Sequence, residues 1–152
     1  MPKEATADLI KFIIPYPDSV KIAALWLRSF IWDLYPQANE LIYDNYNAVA
    51  VGWSPTDKAG DVFCSIAIFN THVNFGFNRG VEIPDPQKIL LGNGSLYRHI
   101  RVKDREDFPE EYMKQLMLAA YENSLSRLKP VKKEIMGQTI VKSISPVKKR
   151  PV

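Results

Sequence analysis

The stretch DVFCSIAIFNTHVNFGFN, Asp61 to Asn78, is where the fold is decided. Its halves, DVFCSIAIF and THVNFGFN, are rich in β-branched and aromatic residues and meet at a short Asn70-Thr71 step, the pattern of two antiparallel strands joined by a hairpin. In the second half Thr71, Val73, Phe75 and Phe77 point one way, while His72, Asn74, Gly76 and Asn78 point the other. Such an alternation belongs to a sheet with one packed and one wetter face. Upstream, AVAVGW reads as a further strand before the turn-like SPTDKAG, and downstream LYRHIRV, ending at Val102, reads as a fourth. An antiparallel meander is therefore expected.

A helix flanks the meander on each side. Pro17 opens the first, where its fixed φ and missing N–H are tolerated, and Asp18 places negative charge near the N-terminus. Val20, Ala23, Ala24, Leu27, Phe30, Ile31 and Leu34 recur at helical spacing and form its core face. Ile22, Trp26 and Trp32 fall off that face, to meet a second layer of protein or to stand as an exposed apolar patch. The second helix starts at Pro109 with Glu110 and Glu111 and carries Met113, Leu116, Met117, Ala120 and Leu125. The expected class is α+β: two layers, with the antiparallel meander sheet carrying the N- and C-terminal helices on one face.

Charge is distributed unevenly. Eight of the 20 cationic residues but one of the 17 acids, Glu134, lie from Arg127 onward, leaving 12 and 16 in residues 1–126. The expected organisation is a body over 1–126 and a basic tail over 127–152, in which QTIVKSI is β-like and packs on the body while PVKKRPV stays mobile. The body is no basic platform for nucleic acid. The tail is either a solvated terminus or a weak electrostatic attachment to nucleic acid or anionic surfaces, and no aromatic is interleaved to stack on bases. The lone cysteine, Cys64, lies in an apolar run and suits a reducing compartment. No apolar run is long enough for a bilayer, and the N-terminus MPKEATADLI lacks a signal-peptide pattern, so a cytoplasmic protein with no membrane association is expected. Monomer and homodimer are both compatible with the pattern.

The passage HVNFGFNRGVEIPDPQKILLGNGSLYRHIRV resembles the signature of the YdhG-like domain of unknown function. The matching residues are His72, Gly76, Phe77, Arg79, Gly80, Pro84, Asp85, Pro86, Leu91, Gly92, Gly94, Arg98, His99 and Ile100, and the likeness extends over about Pro17 to Leu125. Where that family often has Thr and Lys, this chain has Asn93 and Ser95. The resemblance implies a frataxin-like fold and, as some members are linked to iron delivery, an alternative role in handling iron. Frataxin-type iron binding uses an acidic ridge of hard oxygen ligands. Here the first helix carries Asp18 and Asp33 but also Lys21 and Arg28.

The candidate sites are few. The Gly92 and Gly94 pair offers backbone N–H groups to a phosphate beside Lys88, Arg98 and Arg101, or simply permits the turn before a strand; P-loop spacing is absent. Pro84 and Pro86 stiffen that loop, and Asp85 is placed to cap backbone N–H groups. His72 and His99 share the wetter set with Asn74 and Arg101. No activated nucleophile is visible, and Glu110 and Glu111 are explained by their helix N-terminus, so no enzyme is expected. The leading expectation is a non-catalytic binding module that takes a protein or small anionic ligand on the polar sheet face and the Gly80 to Arg101 loop, through Arg79, Arg98, His99 and Arg101. The alternative is an iron chaperone, with His72 and His99 as ligands and iron as its cofactor or cargo.

Overall fold

The structure is a computed structural model that describes residues 3–130 and 134–151. Three helices, α1 (Ala7–Ile13), α2 (Asp18–Leu34) and α3 (Glu110–Ser126), accompany six strands: β1 (Asn39–Asp44), β2 (Val49–Ser54), β3 (Cys64–Ile68), β4 (Val73–Phe77), β5 (Arg98–Val102) and β6 (Thr139–Ile144). The sheet order is β5-β4-β3-β2-β1-β6, antiparallel throughout except for the β1–β6 pair. The class is α+β with a mostly antiparallel sheet. The expected meander is β2 to β5, and β1 and β6 extend it. Among the described residues no helix is long and apolar enough to cross a membrane.

The helix-bearing face follows from strand parity. Val49, Val51 and Trp53 pair across to Ile68, Ile66 and Cys64, and these lead through Val73, Phe75 and Phe77 to Val102 and Ile100. Leu27 and Ile31 of α2 and Met113 and Met117 of α3 complete this core, all of them nearly or fully inaccessible. Edge-to-face contacts of Phe108 with Trp26, Phe30 and Phe75 tie the start of α3 to α2 and to the sheet.

One core expectation is corrected. Leu34 and Leu125 are 41% and 42% exposed, because at 3.6 residues per turn the buried stripe passes through Ile31 and Ser124 instead. Of the two readings given for the residues off that face, Trp32 takes the buried one: its Nε1–H donates to Ala38 O at 2.7 Å, and Lys3 and Arg28 lie over its ring.

The helix face of β1 carries two buried acids. Glu40 accepts hydrogen bonds from Arg28 Nε at 2.6 Å, Arg28 Nη2 at 3.2 Å and Thr139 Oγ1 at 2.8 Å. Asp44 pairs with Arg150, whose Nε donates at 2.8 Å, and with Lys148 at 3.1 Å. The segment set apart as a tail thus supplies a strand and two ion-pair partners. Part of it packs on the body, as the β-like run suggested. Arg150, within the PVKKRPV expected to stay mobile, is instead 7% exposed, because the buried Asp44 carboxylate requires a cation.

Removing one partner of such a pair strands a buried charge, whereas replacing both with apolar residues does not. Arg28→Ala is expected to lower the unfolding free energy in urea by about 3–5 kcal/mol, and the double change Arg28→Met, Glu40→Leu by much less than that single change. Equal losses in the two variants would contradict this reading of the pair.

Candidate functional site

The face of the sheet away from the helices is built from small and polar residues. Ala50 pairs with Ala67, Gly52 with Ser65, Ala67 with Asn74 and Ser65 with Gly76, which makes a shallow trough across three strands. On β5 the same parity brings Arg101 beside Asn74 and His99 beside Gly76. A side chain at Gly76 would collide with the ring of Tyr97, which lies across it and stacks on His99 with centroids 5.5 Å apart and planes 18° from parallel. Toward β1 the trough deepens to a hollow of about 120 Å³ among Tyr43, Ala50, Gly52, Val62, Ser65 and Asn78.

Polar atoms on this face lack partners. Among the described residues, Asn74 Oδ1, His99 Nδ1 and Tyr43 OH are buried without a hydrogen bond. Each is costly in that state, and such groups mark places where a ligand or water completes the bonding. Burial, and then the Arg101 charge, hold the His99 imidazole below its ordinary 6.5. The same two causes, with Lys103 and His99 after them, lower His72. Burial pushes the Tyr97 phenol up to about 12. Near neutrality both imidazoles and the phenol are therefore uncharged. Arg101 is exposed and makes no ion pair with any described residue.

The four residues singled out from the sequence do not converge. Arg98 pairs with Phe77 on the helix side of the sheet, and its Nη1 donates to Gly94 O at 2.7 Å and Tyr97 O at 2.6 Å. Arg79 forks onto Glu82 at 2.8 and 2.5 Å. With a further bond from Asn123, that holds the Glu82 carboxyl at about 2. Arg79 and Arg98 thus serve the loop, while His99 and Arg101 stand on the open face. Tyr97, unmarked in the sequence, joins them there; a glycine opposite a strand position flanked by an aromatic was its only signal.

The loop itself is a structured connection. Asp85 Oδ2 accepts from Leu90 N at 2.9 Å and Oδ1 accepts from the Tyr112 hydroxyl, which in turn accepts from Gln87 N at 3.0 Å. Leu91 and His99 exchange both backbone bonds, at 2.7 and 3.0 Å, which adds a one-residue rung to the β5 edge. Gly92 adopts φ +121°, a value closed to side-chain-bearing residues, and so permits the reversal into β5. The turn reading of the glycine pair fits these bonds.

His72 and His99 share the open face but not a metal-binding geometry. His72 Nδ1 is bonded to Thr71 Oγ1 at 2.8 Å, with the ring stacked on Phe69. Among the described residues no three His, Cys, Asp or Glu side chains are grouped to hold an ion, and Arg101 opposes a cation there. The pair does not fit an iron site. No family model, curated protein or solved structure matches the chain.

Because the folded chain binds the His72 and His99 protons more weakly than the unfolded chain does, stability is full above the unfolded value near 6.5 and falls as the unfolded chain takes up protons below it. Urea midpoints are expected to drop between about pH 7 and 5, more shallowly in His99→Gln. Arg101→Gln is expected to raise the His99 midpoint in NMR titration. A midpoint at or above 6.5 in the parent would contradict the assigned environment.

Proposed function

We propose that the chain is a non-catalytic, cytoplasmic binding module that takes a small anionic ligand on the open sheet face, with Arg101 as the charged contact and His99 and Asn74 as its neutral neighbours. The observation that carries this reading is the exposed Arg101, unpaired among the described residues, set beside two buried polar atoms that lack partners there, Asn74 Oδ1 and His99 Nδ1. A guanidinium supplies charge-assisted hydrogen bonds to a carboxylate or phosphate. The neutral imidazole adds a directional bond at no cost in charge, while Asn74 Oδ1, which only accepts, calls for a hydroxyl or other donor on the same ligand. The Gly80 to Arg101 loop contributes a wall through Tyr97, held in place by the contacts of Arg98 and Asp85.

Membership of the YdhG-like family, with its frataxin-like fold, belongs to the same proposal. It rests on the signature residues from His72 to Ile100 and is supported by helices lying on one face of a mostly antiparallel sheet. Iron delivery is the weaker companion of that likeness, since the two histidines lack further donors and sit beside a cation. An acidic patch on a protein offers Arg101 the same chemistry as a small anion.

The isotope-labelled 152-residue chain titrated with inorganic phosphate, citrate and ATP tests the assignment. At least one is expected to bind saturably and move the Arg101 and His99 resonances, with Arg101→Ala weakening it by about tenfold. Unchanged affinity in Arg101→Ala, or no saturable shift on this face with any of the three, would overturn it.

A further inference from the structure

On the other side of the molecule, beyond the proposed anion face, the outer flank of α2 forms a second hollow. Ser19, Ile22, Ala23 and Trp26 share one helix face, the steps Ser19 to Ile22 and Ala23 to Trp26 being three residues and Ser19 to Ala23 and Ile22 to Trp26 four, and make one wall; the Lys103–Arg105 turn after β5 makes the other. The hollow measures about 410 Å³ and its accessible lining is overwhelmingly apolar. That volume is in the range of small-molecule sites. Ser19 and Ala23, being small, open the groove; Ile22 is 69% exposed beside it. Trp26 packs its ring against Phe108 and Phe30 and keeps its indole pinned at the floor.

The rim is cationic where it is free. Arg105 lies over the Trp26 ring with its guanidinium carbon 4.9 Å from the centroid. It reaches Glu110 at 3.5 Å, but that pair is solvent-exposed and weak, with side chains 70% and 38% accessible. Three of the nearby acids have partners of their own, the Asp18 pair being solvent-exposed like that of Arg105, while the Glu106 side chain is exposed. Asp104 accepts from Glu106 N at 2.9 Å, Asp107 accepts from Lys103 N at 2.8 Å, and Asp18 pairs with Lys21 at 3.1 Å. The apolar wall spans two turns of helix, about 10 Å, which is short for an extended peptide.

We propose that this hollow binds a small amphipathic carboxylic acid, its apolar body against Ile22, Ala23 and Trp26 and its carboxylate on Arg105. Arg105 exchanges the exposed Glu110 for the ligand carboxylate, and the indole face stays covered. An apolar acid satisfies both halves of the site; a neutral hydrocarbon leaves the guanidinium unused, and a small polar anion leaves the wall unfilled.

The full chain titrated with octanoate, 4-phenylbutyrate and the neutral octanamide, followed through the Trp26 indole N–H resonance, is the test. Octanoate or phenylbutyrate is expected to bind saturably, with octanamide weaker by about tenfold. Arg105→Gln, at an exposed position, is expected to erase that preference, and Ile22→Asp to abolish binding while leaving the fold intact. No saturable shift at Trp26, or equal binding of octanoate and octanamide, would overturn the proposal. So would a concentration-dependent dimer in sedimentation that Ile22→Asp dissolves, since the patch would then bind a second copy. Phosphate, citrate and ATP are not expected to move the Trp26 signal, which separates this site from the open sheet face.

Discussion

Two carboxylates buried on one strand organise the molecule. Glu40 is fully inaccessible and Asp44 nearly so, on the helix side of β1. An ionised carboxylate in that position is destabilising by several kcal/mol unless a cation and hydrogen bonds accompany it. Arg28 answers Glu40 from α2 and, through bonds to the carbonyls of Lys3 and Glu4, brings the N-terminal segment with it. Arg150 answers Asp44 from the other end of the chain and also bonds the Phe12 carbonyl at the end of α1. Asn39, buried at the head of the same strand, donates to Ile135 O and accepts from Gln138 N, which aims the chain into β6. Helix α1, helix α2 and strand β6 thus converge on β1 through charge as much as through apolar contact.

That arrangement decides where positive charge remains available. Lys148 and Arg150 contribute to the net charge of the sequence but are spent inside the fold. Arg79 and Arg98 are spent within their loop. On the open sheet face the exposed Arg101 is left beside neutral His99 and Asn74, and on the flank of α2 the loosely held Arg105 is left beside an apolar wall. We propose a polar anion for the first and an amphipathic one for the second. Covering one side of the sheet with helices is what keeps the two apart.

Much of this was legible in the sequence. Strands β2 to β5 and helices α2 and α3 carry clean periods, and the split of Val73, Phe75 and Phe77 from His72, Asn74 and Asn78 is the split observed. The capping role of Asp85 was likewise visible from its place between two prolines. Strand β1 was not, because NELIYD mixes acids with apolar residues, and its polar members are buried only by virtue of cations distant in sequence. The short α1 lacks a stripe long enough to show, whereas β6 was visible as the β-like run QTIVKSI, and only its parallel pairing with β1 at the sheet edge was not. For the candidate site, the sequence brought Arg98 and Arg101 together, although residues three apart on a strand face opposite sides. Strand parity alone separates the loop-holding Arg98 from the open-face Arg101.

The claim that the C-terminal segment is a working part of the sheet is tested most directly by urea unfolding of a chain ending at Gln138 beside the 152-residue chain. Loss of β6, Arg150 and Lys148 is expected to cost several kcal/mol and to lower the melting temperature by roughly 10 °C or more. Coincident unfolding curves for the two chains would contradict the account, since Asp44 would then need no cation and β1 no neighbour beyond β2.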